Sequence, residues 1–395
     1  MLAINHDHMT TQQHYAIVTE TYPPEINGVA LTVQRLVRGL QQRGCRVTLV
    51  RPRQTSDSTC SADTTLVRGL PLPRYPGLQF GLPSKRLLTT TWREDPPSAV
   101  YVATEGPLGW SAVSAARRLG IPVATGLHTR FDEYLQDYGL GFFEPMALAW
   151  MRYFHNRADN TVVPTEQLAT FLREKRFKQV TRLGRAVDAE RFTPVKSSPA
   201  LRTEWLDGGT GPLVCYVGRI AAEKNLPLAI KAYRAIQEQH PGARFVWIGD
   251  GPARAAVERD NPDFIFVGMQ LGEDLAQYLA STDLFLFPSK SETFGNVTVE
   301  ALASGVPTVA FNYGAAKEHL INHEFGYTVD NDAEFIAASL TLASRSDRRA
   351  MGAAAHQAMR QLHPHVVAEN FHQLLMQTRA TRRAAAQRPT KSLPY

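Results

Sequence analysis

At 395 residues, with 44% hydrophobic and 20% charged content, the chain has the composition of a globular protein large enough for two cores, and fibrous or disordered classes are excluded. The net charge of +6 is uneven: residues 1–195 hold 23 Lys and Arg against 17 Asp and Glu, residues 196–378 hold 15 against 20, and residues 379–395 hold 5 against none. Such asymmetry suits an anionic surface or an acidic acceptor on the N-terminal side, and a solvated basic face explains it equally.

The polar start MLAINHDHMTTQQHY has neither a basic n-region nor an apolar h-region, so no signal peptide is expected. No window reaches the ~18 consecutive apolar residues of a membrane span. Cys45, Cys60 and Cys215 lie far apart without metal-ligand spacing and read as unpaired thiols. The expected location is cytoplasmic, with a peripheral position at the inner face of the cell membrane left open.

In chain order, YAIVTE (15–20) reads as a strand and LTVQRLVRGLQQRG (31–44) as an amphipathic helix stopped by Gly44. RVTLVRP is the next strand, and AVYVAT, GWSAVSAARRLG and IPVATGL continue the strand–helix–strand rhythm. GLGFFEPMALAWMRYF (139–154) reads as a buried helix. The segment 193–211, rich in Pro, Gly and Ser, reads as a linker, after which the rhythm restarts with PLVCYVGRI, LPLAIKAYRAIQEQH, ARFVWIGDGP, FIFVGM, DLFLFPS and TVAFN. This alternation predicts an α/β chain of two Rossmann-like doubly wound domains facing across a cleft. The expected division is 1–195, 196–378 and a disordered basic tail, 379–395.

The stretch SETFGNVTVEALASGVP (291–307) places two glutamates eight positions apart around a turn that follows the apolar strand DLFLFPS. Free N–H groups and the helix dipole at such a start attract anions, whereas Glu292 and Glu300 would repel a bare phosphate. Both features fit if the carboxylates accept hydrogen bonds from hydroxyls on either side of a diphosphate, as in a nucleotide-sugar. Arg219, leaving a strand end after Gly218, and Lys224 are the candidate counter-charges. Asp330-Asn331-Asp332 has metal-motif spacing but follows the last strand, and it reads as the start of the helix DNDAEFIAASL. No metal and no cofactor are expected.

The motifs PPEINGV, LHTR (127–130), VGRIAAEKN, WIGDGP, FVGM and E-x7-E, in this order to about residue 330, resemble glycosyltransferase family 4, whose members have the two-domain GT-B fold. The resemblance implies that Arg219 and Lys224 hold the donor diphosphate and that the turn Phe294-Gly295-Asn296 meets phosphate and sugar through its amides. It implies that Glu292 reads the hexose hydroxyls, Glu300 the ribose, and Asp250 and Met269 the neighbourhood of the base. It also places His128 beside the reacting sugar and Gly28 at the close approach to phosphate and acceptor. The implied activity is a retaining, metal-independent hexosyl transfer.

Among family members the likeness runs to bacterial GDP-mannose-dependent α-mannosyltransferases and related lipid glycosyltransferases. Mannose from GDP-mannose is therefore the expected donor sugar, with a UDP-hexose-dependent glycolipid synthase or a nucleotide-sugar epimerase as alternatives. A lipid or glycan hydroxyl is the expected acceptor. In 66–88, Arg68, Arg74, Lys85 and Arg86 interleave with Leu, Tyr and Phe and suit an anionic bilayer. No recognition module for nucleic acid is present.

Overall fold

A computed structural model describes residues 12–25, 27–54, 63–71, 79–128, 144–290 and 292–386. Its strands in chain order are β1 (His14–Val18), β2 (Arg46–Pro52), β3 (Thr64–Val67), β4 (Gly69–Pro71), β5 (Gln79–Gly81), β6 (Ala99–Val102), β7 (Val123–Gly126), β8 (Asn160–Val163) and β9 (Val180–Arg182). There follow β10 (Leu213–Val217), β11 (Arg244–Ile248), β12 (Ile265–Gly268), β13 (Leu284–Phe287), β14 (Thr308–Phe311) and β15 (Gly326–Val329). Two parallel sheets result, β3-β2-β1-β6-β7-β8-β9 and β12-β11-β10-β13-β14-β15, while β4 and β5 form a small antiparallel hairpin.

Each sheet is covered on both faces, so its central strands are apolar at every position. In β13, Phe285 and Phe287 face one hydrophobic layer of the second domain and Leu284 and Leu286 the other. The period-2 alternation therefore separates two apolar layers and not apolar from polar. In both sheets the strand order reverses at one place, between β1 and β6 in the first and between β10 and β13 in the second. Ligand crevices of open α/β sheets form at the carboxyl ends of such strands.

The segment expected to be a linker is folded. Pro194–Lys196 makes a single 3-10 turn and Pro199–Leu206 a helix capped by the Ser198 hydroxyl, which accepts from Leu201 N. Trp205 of this helix is buried in the second core with Val187, Ala189 and Phe192. The chain passes between domains earlier, near Val187, and returns near Leu362; these crossings are tied by Val187 N donating to Leu362 O at 3.0 Å.

The expected division at 196–378, with a disordered tail from 379, needs correcting. The last helix runs Pro364–Ala386 and lies on the first domain, where Phe371, Leu374 and Leu375 join the core of Tyr15, Ile17 and Tyr101. Gly39 permits the close approach, since a Cβ there would lie 2.5 Å from Ala368 Cβ. Two basic residues of the helix are fastened: Arg379 donates to Gln13 Oε1 at 3.0 Å and Arg382 to both oxygens of Asp159 at 2.7 and 2.9 Å, while residues 387–395 of the expected tail lie outside the described residues. Apolar residues on the inward face outweighed the basic composition that suggested a tail.

The helix Glu144–His155 also departs from expectation. Met151, Phe154 and His155 are buried, but Met146, Trp150 and Tyr153 are exposed. Trp150 and Tyr153 lie 5.4 and 5.7 Å from Trp110 between ring centroids, with the Arg157 guanidinium 4.9 Å over Trp110. No helix among the described residues is long and apolar enough to cross a membrane.

Docking of the last helix makes Phe371 a core residue of the first domain. Phe371→Ala should lower unfolding free energy by about 3–5 kcal/mol in urea titration. A loss under about 1 kcal/mol would contradict the docking.

Candidate functional site

At the reversal point of the second sheet, neighbouring β10 and β13 direct their following loops into the same crevice. After β10, Gly218 turns the chain at φ 148 and Tyr216 Oη donates to Arg219 O at 2.8 Å, fixing the start of the Arg219 loop. Asn225, just beyond the turn Ala222–Lys224, donates through Nδ2 to Pro288 O at 3.2 Å and so binds this loop to the one after β13. Lys224 Nζ is thereby brought onto Glu292 Oε1, which also accepts from Ser289 Oγ at 3.0 Å. The exposed Arg219 guanidinium lies 3.4 Å from Glu223 Oε1. Two cations and a carboxylate far apart in sequence thus share one crevice.

The loop after β13 leads into the helix Asn296–Ala303 through Gly295, whose φ of 87 lies in the left-handed region that glycine favours. Phe294 is buried with its ring edge-on to His319 at 6.0 Å, and Phe294 O accepts from Ala315 N at 2.6 Å. The turn is thus held from behind by the helix Gly314–His319. Ahead of it, a Cβ at Gly28 would lie 3.7 Å from Asn296 Nδ2, so the first domain's glycine loop meets the second domain's turn across the cleft. Asn296 Oδ1 is buried without a hydrogen-bond partner among the described residues, a state that buried polar atoms rarely keep.

The Gly28 loop is built by its own side chains. Asn27 Oδ1 accepts from Ala30 N at 2.8 Å and caps the helix Gly28–Gln42. Asn27 Nδ2 donates to Thr21 Oγ1, and Thr21 Oγ1 donates to Glu25 Oε2, both at 2.6 Å. From the same helix, Arg35 Nη1 donates to Ala186 O at 3.3 Å and Nη2 reaches Glu300 Oε1 at 3.1 Å across the cleft. A second bridge joins Arg182 of β9 to Glu318 at 2.6 Å, and Glu318 also accepts from Glu166 N at 2.5 Å.

His128 follows β7 and is clamped on both nitrogens: Nδ1 lies 2.5 Å from Arg185 Nη2 and Nε2 2.8 Å from Tyr101 Oη. A guanidinium only donates, so Nδ1 accepts and the ring proton resides on Nε2. Burial, with Arg185 and His155 adding to it, holds the ring well below the ordinary histidine range. Burial likewise lowers the Arg185 guanidinium to about 10. Gly126 makes room for this arrangement, since a Cβ there would lie 2.0 Å from Tyr101 Oη. Elsewhere in the first domain, Glu20 Oε1 accepts from Leu108 N at 3.0 Å, and burial raises its carboxyl to about 7.

Of the remaining expected residues, Asp250 lies against the Arg219 loop, its backbone O accepting from Ile220 N at 2.9 Å. Asp250 accepts from Gly251 N at 2.7 Å and from Arg254 Nη1 at 3.4 Å, and Met269, just after β12, is 51% exposed. Arg68, Lys85 and Arg86 are exposed on the hairpin and on the helix Lys85–Glu94, where Leu87 is exposed too. Arg74 and Cys60 lie outside the described residues, while Cys45 and Cys215 are free and buried. Asn331 caps the helix Asp332–Ser344 by accepting from Glu334 N at 3.0 Å, and Asp332 pairs with Lys290 at 2.6 Å, so Asp330-Asn331-Asp332 is a helix start. Among the described residues no group of three His, Cys, Asp or Glu side chains could hold a metal ion.

Sequence reasoning did not single out Arg35, Tyr101, Arg185 or Glu20. Tyr101 sits inside the run AVYVAT as one more strand residue, and Arg35 alternates with apolar positions as a solvent-facing helix residue would. Arg35 meets Glu300 only through the closure of the two domains, whereas Tyr101, Arg185 and Glu20 find their partners within the first domain through its own folding.

Two facing Rossmann-like domains whose crevices meet at a cationic, glycine-lined cleft define the GT-B architecture of nucleotide-sugar-dependent transferases. Residues 26–191 match the family described as Glycosyltransferase Family 4 and residues 211–345 the one described as Glycosyl transferases group 1. The chain is 33% identical over 80% of its length, and 84% of the other's, to a GDP-mannose-dependent alpha-mannosyltransferase of Mycolicibacterium smegmatis. It is 24% identical to an alpha-monoglucosyldiacylglycerol synthase of Streptococcus pneumoniae over 74% of this chain and 70% of that one. Its fold is that of the sucrose-phosphate synthase of Thermosynechococcus elongatus, with TM-score 0.73 and 19% identity, covering 94% of this chain and all of the other. The chain belongs to glycosyltransferase family 4 and is a glycosyltransferase.

The clamp on His128 has a direct consequence in solution. Its ring resonances should stay those of the neutral Nε2–H tautomer as the pH falls from about 8 to about 6, followed by NMR on selectively labelled protein. A midpoint near 6.5, the ordinary value, would contradict the clamp.

Proposed function

We propose that the protein is a retaining hexosyltransferase that moves mannose from GDP-mannose to an acceptor hydroxyl, with a membrane glycerolipid as the acceptor class. The observation that carries this reading is the assembly of Arg219, Lys224 and Glu292 at the reversal point of the second sheet, opposite Gly28. The 33% identity to a GDP-mannose-dependent alpha-mannosyltransferase supports the donor.

On this reading Lys224 leaves Glu292 when a diphosphate enters and turns its charge to the phosphates together with Arg219. Glu292, released, accepts the hexose hydroxyls, while the backbone amides at Gly295 and Asn296 face the phosphate and Glu300 accepts from the ribose. The acceptor oxygen attacks the anomeric carbon from the face that the diphosphate leaves. The bond from that carbon to the diphosphate oxygen breaks, the new glycosidic bond forms, and the acceptor proton passes to the departing diphosphate. Stabilising the charge that develops there is the largest expected catalytic contribution. His128, neutral and clamped, serves as a fixed dipole beside the sugar and not as a general acid. Two protein cations meet the diphosphate charge, so the reading needs no divalent metal, and it needs no cofactor beyond the nucleotide-sugar and no nucleic acid.

For the acceptor side, the exposed Lys85, Arg86 and Leu87 with Trp150 and Tyr153 offer cations and interfacial aromatics suited to an anionic bilayer. On this reading the protein works in the cytoplasm, peripheral to the membrane. The likeness to a monoglucosyldiacylglycerol synthase favours a second reading, a UDP-hexose donor on the same scaffold.

The test incubates the protein with GDP-mannose, UDP-glucose, UDP-galactose or UDP-glucuronate, with and without EDTA, plus diacylglycerol or membrane extract. Nucleotide release and glycolipid are measured. GDP-mannose should be consumed with EDTA present, and Lys224→Ala or Glu292→Ala should lower turnover about 10²–10³-fold. Transfer from a UDP-sugar alone would select the second reading, and transfer from none would overturn both.

A further inference from the structure

Glu300 is buried, 6% exposed, and its Oε1 is held at 3.1 Å by Nη2 of Arg35, a residue of the opposite domain. A buried carboxylate that loses its partner is left uncompensated and takes up a proton. Arg35 is itself aimed: Nη1 donates to Ala186 O, and Arg185 lies close enough to repel it. Glu300 Oε2 has no hydrogen-bond partner among the described residues.

We propose that Arg35 is a positioning residue for the donor: it occupies Oε1, keeps Glu300 ionised, and leaves Oε2 as the acceptor for the nucleotide ribose. The inference rests on the ribose role of Glu300 and adds a contribution from the acceptor domain to nucleotide binding. Because the pair spans the cleft, the nucleotide meets a charged and oriented Glu300 only when the first domain has closed on the second.

Other charged groups around the helix Asn296–Ala303 are engaged elsewhere. Arg191 acts on Glu300 only from a distance and is bonded to Glu273 at 3.1 Å; Lys196 bonds the same carboxylate at 2.8 Å. His356, on the helix Arg348–Met359, bonds Ala303 O at 2.6 Å. His319 lies edge-on to Phe294 and 4.0 Å from Glu318, which pairs with Arg182. Burial raises the Glu300 carboxyl, and Arg35 opposes that rise. Without Arg35 the carboxyl rises further, so the protonated form gains as pH falls and the site loses affinity in that direction.

The experiment measures dissociation constants of GDP and UDP by calorimetry between about pH 6 and pH 8.5 for the full chain and for Arg35→Met, Arg35→Lys and Glu300→Gln, with urea titration confirming each fold. Arg35→Met should bind about tenfold more weakly at pH 6 with the loss shrinking toward pH 8.5, and Arg35→Lys should restore affinity to within about threefold. Glu300→Gln should bind weakly at every pH. If Arg35→Met binds like the unaltered protein at every pH while Glu300→Gln is weakened, this inference is overturned and the ribose role of Glu300 stands. If Glu300→Gln also binds normally, the ribose role itself fails.

Discussion

The cleft depends on the ion pair of Lys224 with Glu292. A carboxylate beside a helix start would repel a phosphate unless a cation accompanied it, and a half-buried lysine loses hydration without a counter-ion. Paired, each satisfies the other, and on the proposed reading a nucleotide-sugar offers both a better partner, phosphate for the ammonium and hydroxyls for the carboxylate. The strand order makes this possible, since β10 (Leu213–Val217) and β13 (Leu284–Phe287) are adjacent in the sheet although far apart in the chain. Asn225 bonding Pro288 O then fixes the distance between the loops.

Around this pair the two domains are joined by few but definite contacts. Val187 N to Leu362 O ties the two crossings, and Arg35 to Glu300 and Arg182 to Glu318 bridge the cleft. The return of the last helix to the first domain closes the connection, so the second domain hangs between two crossings that lie side by side. Such a double crossing favours hinge motion over free rotation. The bridges are ionic and reach across the cleft, so they break with modest displacement, while the crossings hold.

Much of this was legible in the sequence because the signals were local. Gly44 stops the first helix with φ 76, DLFLFPS forms a strand buried on both faces, and the glycine turn after it opens a helix, as its composition demands. Asking what could offset the carboxylates singled out Arg219 and Lys224 as counter-charges to a diphosphate, but that Lys224 rests on Glu292 itself is a fact of the fold alone. Tertiary relations were not legible. The end of the last helix looked like a tail because the five basic residues of 379–395, three of them in the helix, dominate the composition, whereas Phe371, Leu374 and Leu375 decide where it packs. The helix Glu144–His155 looked buried because it is apolar, yet Trp150 and Tyr153 face outward. Arg35 had no sequence signal at all, since its partner lies 265 positions away.

The central claim is that the crevice between β10 and β13, facing Gly28, is the diphosphate site and that its resident ion pair opens on binding. A structure of the protein with GDP bound tests this most directly. The account predicts the diphosphate between Lys224 and the amides at Gly295 and Asn296, with Glu292 released from Lys224 and turned toward the sugar position. A nucleotide bound elsewhere, or one bound here with the Lys224–Glu292 pair intact, would contradict it.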